Sequence, residues 1–389
     1  MVETYPIPSL TTKLPNVGTT IFTTMSALAA ELGAINLSQG FPDYDGDDFL
    51  KERLAWHVDN GANQYAPMTG VPRLNQAISQ KVLRHYKRDV DPGTEITVTL
   101  GATEAIYDAI QTVVHPGDEV IVFDPAYDMY EPAVELAGGT CIHLNLTPVD
   151  FSIPWSDLDQ AVTDRTRLII VNTPHNPCGS VMSEADLETL WQTVKDKEIF
   201  LISDEVYEHI IFDGLAHQSL LRHDGLARRS FVISSFGKTY HMTGWRTGYC
   251  IAPEPLTLEF RKVHQYVTFS IPNPIQNALA DMLDTHPEHA VELPGFYQQK
   301  RDFFRNAVQD SRLTLMNCSG SYFQMADYSQ ISDLPDMEFC YWLAERAGVV
   351  AVPVSVFYKA PPGGQRLIRF CFCKGEQTLS EAAGQLCRI

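Results

Sequence analysis

Six short apolar runs, each followed by a polar or glycine- and proline-rich turn, restrict this chain more than any other feature of its sequence. They are ITVTL (96–100), EVIVF (119–123), RLIIV (167–171), IFLIS (199–203), SFVIS (230–234) and GYCIA (248–252). Short β-rich runs bounded by turn residues are the pattern of strands buried on both faces. Between them lie stretches with helical spacing, such as ATEAIYDAIQTVV (102–114) and SEADLETLWQTV (183–194), the second opening on Ser183 as an N-cap. Strands alternating with helices predict an α/β fold, a mainly parallel sheet covered by helices.

The last third has a different rhythm: a helical region over 277–310, a hairpin-like TLMNCSGSYFQMADY, a strand LIRFCF and a helical tail. This predicts a smaller α+β domain over 281–389 beside a large domain over 50–280. An N-terminal arm, 1–49, contributes to the small domain, and its turn-rich SQGFPDYDG suits a segment laid across a cleft. A formal net charge of −19 repels phosphate backbones and anionic lipid, so nucleic acid is excluded as a partner. Glu3 and the early prolines stand where a secretory signal needs basic and then apolar residues, and no window is apolar enough for a membrane helix. A cytoplasmic, reducing location is expected. The eight cysteines and scattered histidines, His264 among them, show no metal-ligand spacing, and Cys371 and Cys373 are expected as separate buried thiols on opposite faces of a strand.

Ligands of an open parallel sheet bind beyond the carboxyl ends of its strands. The residues just after the runs are Gly101-Ala102-Thr103, Asp124-Pro125-Ala126-Tyr127, Asn172 to Pro177, Asp204-Glu205-Val206-Tyr207 and Ser235-Phe236-Gly237-Lys238. An amine, a carboxylate, an amide, a phenol and a helix start suited to an anion thus converge on one sheet end. A pyridine aldehyde phosphate uses all of them. Lysine links to the aldehyde, the carboxylate keeps the ring nitrogen protonated, amide and phenol bind the ring oxygen, and the helix start with Arg246 binds the phosphate.

GATEA (101–105), NTPHNP (172–177), SDEVYEH (203–209) and SSFGKTYHMTGWRTGY (234–249) resemble, in order and spacing, the class I branch of the fold-type I aminotransferases that use pyridoxal 5'-phosphate. SQGFPD, NQYAPMTG and LIRFCF extend the resemblance over nearly the whole chain, which is most similar to the bacterial methionine aminotransferases and the kynurenine and glutamine transaminases. The resemblance implies a seven-stranded-type, mainly parallel sheet. It implies that Lys238 is the Schiff-base lysine, Asp204 the partner of the pyridine nitrogen, and Asn176 and Tyr207 donors to the ring oxygen. Tyr127 then stacks on the ring, and Ala102, Thr103, Ser235 and Arg246 bind the phosphate. Arg369 clamps the substrate α-carboxylate with help from Gly40 and Asn176. Phe22, Tyr65 and Phe269 border the side-chain pocket, and Tyr65 reaches the site from a neighbouring subunit, which implies a homodimer. His175 stands where many relatives carry Asn, and neither it nor Arg246 removes a needed donor.

Taken singly, each residue has a plain explanation: a helix-start lysine on the surface, helix N-terminal acids, turn-forming asparagines. Those explanations are independent, whereas one cofactor site requires all the residues together. The expected activity is transfer of the amino group of methionine, or a similar apolar or aromatic amino acid, to a 2-oxo acid in a ping-pong cycle. Alternatives on the same site are a kynurenine- or glutamine-type transaminase, a cysteine-conjugate β-lyase, and a non-catalytic binding protein.

Overall fold

The computed structural model describes residues 7–389, so Glu3 and Pro6 of the N-terminal reading lie outside the described residues. Seven strands form the large sheet: β1 (Ile96–Thr99), β2 (Glu119–Asp124), β3 (Thr140–Asn145), β4 (Thr166–Asn172), β5 (Phe200–Asp204), β6 (Ser230–Ser235) and β7 (Gly248–Ile251). Their order is β1-β7-β6-β5-β4-β2-β3. Neighbours from β6 through β3 pair in parallel, while β7 runs antiparallel to both β6 and β1.

The six apolar runs are six of these strands. The seventh, β3, was not expected because it is an edge strand: only one side is paired, none of its residues is fully buried, and His143 interrupts the apolar pattern. GYCIA forms its strand in the antiparallel sense, which its composition does not reveal.

Along β2, Val120 and Val122 enter one core while Ile121 and Phe123 enter another, because alternate side chains face opposite ways. The four helices that position the site are α1 (Ile21–Leu32), α2 (Ala102–Val113), α3 (Tyr130–Ala137) and α4 (Glu254–Val267). Helix α2 buries Ala105, Ile106, Ala109, Ile110 and Val113, a stripe at helical spacing that lays it on the sheet. Its amino end is thereby fixed just beyond β1.

A second, antiparallel sheet of β8 (Thr314–Leu315), β9 (Phe323–Asp327), β10 (Val352–Pro353) and β11 (Leu367–Cys371) has the order β10-β11-β9-β8. The expected hairpin is the β8–β9 pair. The helical region is two helices, Asn273–Thr285 and His289–Ala307. Ile35–Asn36 pairs in parallel with Val349–Val350, and Met25 and Leu37 share a core with Leu293, Phe304, Phe339 and Phe370.

Cys371 and Cys373 do not face apart as expected. Side chains two apart along an extended chain share a face, and the two buried Sγ atoms are 3.0 Å from each other. No helix among the described residues is long and apolar enough to cross a membrane.

Candidate active site

A cavity of about 270 Å³ opens at the carboxyl ends of β4, β5 and β6, between the large sheet and the antiparallel one. Twelve of the expected residues line it: Phe22, Gly40, Ala102, Thr103, Tyr127, Asn176, Asp204, Tyr207, Ser235, Lys238, Arg246 and Arg369. Tyr65 and Phe269 do not. They are 84% and 46% exposed and pack edge-to-face with each other, ring centroids 5.4 Å apart, on the outer surface of the chain.

One end of the cavity is built for an anion. Gly101 caps α2 at φ 81° and ψ 171°, an extended positive-φ conformation that glycine adopts without strain. A Cβ there would stand 3.0 Å from Nη2 of Arg246, so glycine also leaves room for the guanidinium. Arg246 itself has φ 50° and donates Nη1 to the Thr243 carbonyl at 3.1 Å, which turns its side chain back over the helix start. At Gly248 a Cβ would meet the Ala102 nitrogen at 2.8 Å, so only glycine lets β7 pass this close to α2. Free N–H groups, the helix dipole and a guanidinium then converge on one small volume.

The amine and the carboxylate sit deeper. Lys238 lies in the short helix Phe236–Thr239 that follows β6, and its Nζ donates a long 3.4 Å bond to the Gly40 carbonyl. Burial lowers its pKa, Arg246 adds to the lowering, and Cys373, Cys371 and Asp204 oppose it. The neutral amine is therefore more populated than in an exposed lysine. Asp204, at the end of β5, is 4% exposed, and burial raises its carboxyl to about 6 against the hydrogen bond from Tyr130 and the charge of Lys238. Tyr207 is buried, and its hydroxyl is held far above the usual phenol range by desolvation.

Arg369 projects from β11 and is 1% exposed. Nη1 donates to Asn176 Oδ1 at 2.8 Å and Nη2 to the Ser38 carbonyl at 2.9 Å, while Nε has no partner among the described residues. No carboxylate among the described residues pairs with it. Its charge is carried instead on the faces of Phe323, Phe22 and Phe357, with ring centroids 4.0, 5.2 and 5.4 Å from Cζ. The fork is kept in place by a relay: the Asn176 N–H donates to Asn172 Oδ1, and Asn172 Nδ2 donates to the Asp204 carbonyl, both at 2.8 Å.

Sequence reasoning did not single out Phe323, Phe357, Tyr322 or Tyr130 for the site. Tyr322 and Phe323 were visible only as an aromatic pair inside the hairpin segment, and Tyr130 carried no signal beyond standing three residues after Tyr127. Tyr322 donates its hydroxyl to the Gly40 carbonyl at 2.6 Å, which fixes the loop above Lys238. His175 is buried and held neutral, its pKa lowered to about 3 by desolvation. His264, which showed no ligand spacing, meets Glu104 and Asp108 of α2, with Nδ1 2.6 Å from Glu104 and Nε2 3.0 Å from the Met68 carbonyl. Both partners can only accept, so the ring is an imidazolium, and those carboxylates and hydrogen bonds raise its pKa to about 9 against desolvation.

Comparison with known proteins adds a family to this geometry. The family described as aminotransferase class I and II matches residues 33–386. The chain is 56% identical to the methionine aminotransferase of Escherichia coli over 374 residues, which covers 96% of this chain and 97% of the relative. It is 38% identical to a probable N-succinyldiaminopimelate aminotransferase of Mycobacterium tuberculosis, covering 96% and 97%. A crystal structure of Escherichia coli YbdL, reported to have a methionine aminotransferase function, superposes with a TM-score of 0.96 at 55% identity over 99% of this chain and 100% of that one.

Proposed function

The chain belongs to the class I and II aminotransferases, and from that premise we propose that it moves the amino group of methionine to a 2-oxo acid with pyridoxal 5'-phosphate as its cofactor. The observation that carries this reading is the meeting of Lys238, Asp204 and Arg369 on one cavity whose far end is an anion-binding helix start.

The residues fit the cofactor. The volume kept open at Gly101, between α2 and Arg246, suits its phosphate; the buried Asp204 carboxylate suits a cationic ring nitrogen; Tyr127 offers a flat face; and the Lys238 amine is within the same cavity for its aldehyde. When bound, the cofactor supplies an electron-withdrawing ring that stabilises negative charge at the substrate α-carbon. Arg369 binds the α-carboxylate through its fixed fork, and the unpartnered Nε remains as a further donor. That contact would hold the substrate within the cavity that Lys238 also lines. The Lys238 amine, neutral more often because it is buried, takes the α-proton on Nζ and later returns it. Asp204 must be ionised to hold a positive ring nitrogen, and Asn176 and Tyr207 would bind the ring oxygen. Closure of the aromatic rings around Arg369 keeps water from the carboxylate and strengthens its ion pair.

Phe22, Phe41 and Phe323 wall the remaining volume, and the one other arginine that lines the cavity among the described residues, Arg246, belongs to its anion end. An aromatic slot without a second guanidinium favours a flexible thioether over a dicarboxylic donor, at about 0.3–1.5 kcal/mol per sulfur–ring contact. The same walls accept an aromatic side chain, so phenylalanine, tyrosine and kynurenine are the near competitors. The reading also includes a homodimer, supported by exposed Tyr65, Tyr266 and Phe269, 84%, 85% and 46% exposed. It includes a reducing, cytoplasmic setting, the default for a chain whose eight cysteines show no paired spacing. We take 50–280 as the large domain and 281–389 as the small one, with the arm before residue 50 contributing to the small domain. Steady-state kcat/KM for a panel of amino donors with one 2-oxo acid tests the specificity: methionine should lead, and a dicarboxylic donor ahead of it would reject the assignment.

A further inference from the structure

We propose that Tyr130 is a positioning residue for this reaction: its hydroxyl anchors one oxygen of Asp204 so that the other is free to receive a cationic ring nitrogen. The proposal rests on the cofactor reading above, because it concerns how that nitrogen's partner is held.

Tyr130 opens α3 and is 3% exposed. Its hydroxyl donates to Asp204 Oδ2 at 2.6 Å. The other contact to the carboxylate among the described residues is a long one, 3.4 Å from the Val206 N–H to Oδ1. Asn172 binds the backbone carbonyl of Asp204, not its side chain. Glu205, the neighbouring acid, is committed elsewhere: Oε1 accepts from Ser203 Oγ and the Leu220 N–H, and Oε2 meets His217 at 2.7 Å. Asp204 therefore has one oxygen tightly engaged and one nearly unengaged, at a carboxylate that borders the cavity.

The position of the ring explains why the donor is a tyrosine. Tyr127 borders the catalytic cavity, and Tyr130 stands behind it at 81° with centroids 5.8 Å apart, bordering a second cavity of about 490 Å³. A phenylalanine would fill the same space, so packing does not require the hydroxyl. The titratable groups around Asp204 are Tyr130 and Tyr127 from the α3 side, Lys238 after β6, and Glu205 and Tyr207 on its own segment. Desolvation and the Asp204 charge hold the Tyr130 hydroxyl far above the usual phenol range, so it remains a donor throughout the working pH. Burial lifts Asp204 to about 6, and the Tyr130 bond is the leading opposing influence. Without it the carboxylate is harder to ionise and free to rotate.

The test is Tyr130→Phe, read in three ways. In the cofactor-free protein, the Asp204 carboxyl is titrated by carbon NMR of labelled aspartate, with Asp204→Asn identifying the resonance. Its midpoint should rise by roughly one pH unit, the scale expected for one lost hydrogen bond to the charged form. In the loaded enzyme, the half-reaction with methionine should slow about twofold at pH 7 and nearly tenfold near pH 5, as a one-unit upward shift from about 6 requires, and recover as pH rises. With a cofactor methylated on the ring nitrogen, whose charge needs no carboxylate, the nearly tenfold loss near pH 5 should shrink to within about twofold. Finally, Tyr130→Phe should add nothing in an Asp204→Asn background if it acts only through that carboxylate. An unmoved Asp204 midpoint, an equal loss with both cofactors, or full additivity in the double variant would each overturn the proposal. Failure of the unaltered chain to take up pyridoxal phosphate, seen as absent absorbance, would overturn the cofactor reading and this inference with it.

Discussion

At the scale of single residues, the account depends on three ionisable groups, Lys238, Asp204 and Arg369, kept on one cavity without becoming paired to one another. Lys238→Ala removes the group that holds and moves the proton, so turnover should vanish while binding of the cofactor through its phosphate survives; normal turnover in that variant would reject the assignment. Arg369→Lys keeps the charge but loses the planar fork and its fit among Phe22, Phe323 and Phe357. KM for every amino donor should rise on the order of 10–100-fold, with kcat less affected, as expected when one charge-assisted pair of about 1.5–3 kcal/mol is lost. These residues were legible because each follows a strand or sits in a distinctive motif. Tyr130, Phe323 and Phe357 were not, because their place depends on how α3 and β9 dock, which no local pattern encodes. The opposite-face reading of Cys371 and Cys373 failed on strand geometry itself: positions two apart share a face.

At the scale of elements, the amino end of α2 is the part most exactingly placed, since a Cβ at Gly101 would stand 3.0 Å from Arg246 and one at Gly248 2.8 Å from the Ala102 nitrogen. Gly101→Ala should weaken binding of the cofactor phosphate at least tenfold, because at φ 81° and ψ 171° it adds backbone strain of about 1–3 kcal/mol and crowds the guanidinium; unchanged cofactor affinity would count against this anion site. The same helix is tied to α4 through His264, whose imidazolium bonds Glu104, and Glu104 also accepts from the Leu100 N–H just before Gly101. His264 has its pKa raised from 6.5 to about 9 in the folded chain. A raised folded value means the stabilisation is fully present below about 6.5 and is lost as pH rises through about 9. The melting temperature should fall across that window, and His264→Gln should flatten the decline; equal slopes in both proteins would remove His264 from this role. Elements with uniform buried runs were legible from sequence. Edge strand β3 was not, because half-exposed positions carry little apolar signal, and the direction of β7 was not, because composition does not encode strand sense.

At the scale of the whole molecule, the cavity lies between two cores, and both supply its walls: Arg369 and Phe323 from the antiparallel sheet, Lys238 and Asp204 from the large one. Tyr65 and Phe269 stand outside it on the single chain, which for Tyr65 is the arrangement expected if it serves a neighbouring copy. On the single chain the expectation that both border the pocket is not met, and the crossing of Tyr65 is carried by motif resemblance alone. If Tyr65 crosses, Tyr65→Ala and Lys238→Ala chains, each weak or inactive alone, should regain activity when refolded together, since a hybrid pair contains one complete site. No recovery on mixing would contradict the crossing. The central claim, that this cavity carries out amino-group transfer from methionine, is tested most directly by a single half-reaction. Purified protein loaded with pyridoxal phosphate is mixed with methionine and no 2-oxo acid, while absorbance and released product are followed together. The account predicts conversion of the lysine-linked cofactor to its amino form with one equivalent of the matching 2-oxo acid per chain. Persistence of the lysine-linked absorbance, or release of ammonia with a cleaved side chain, would contradict it.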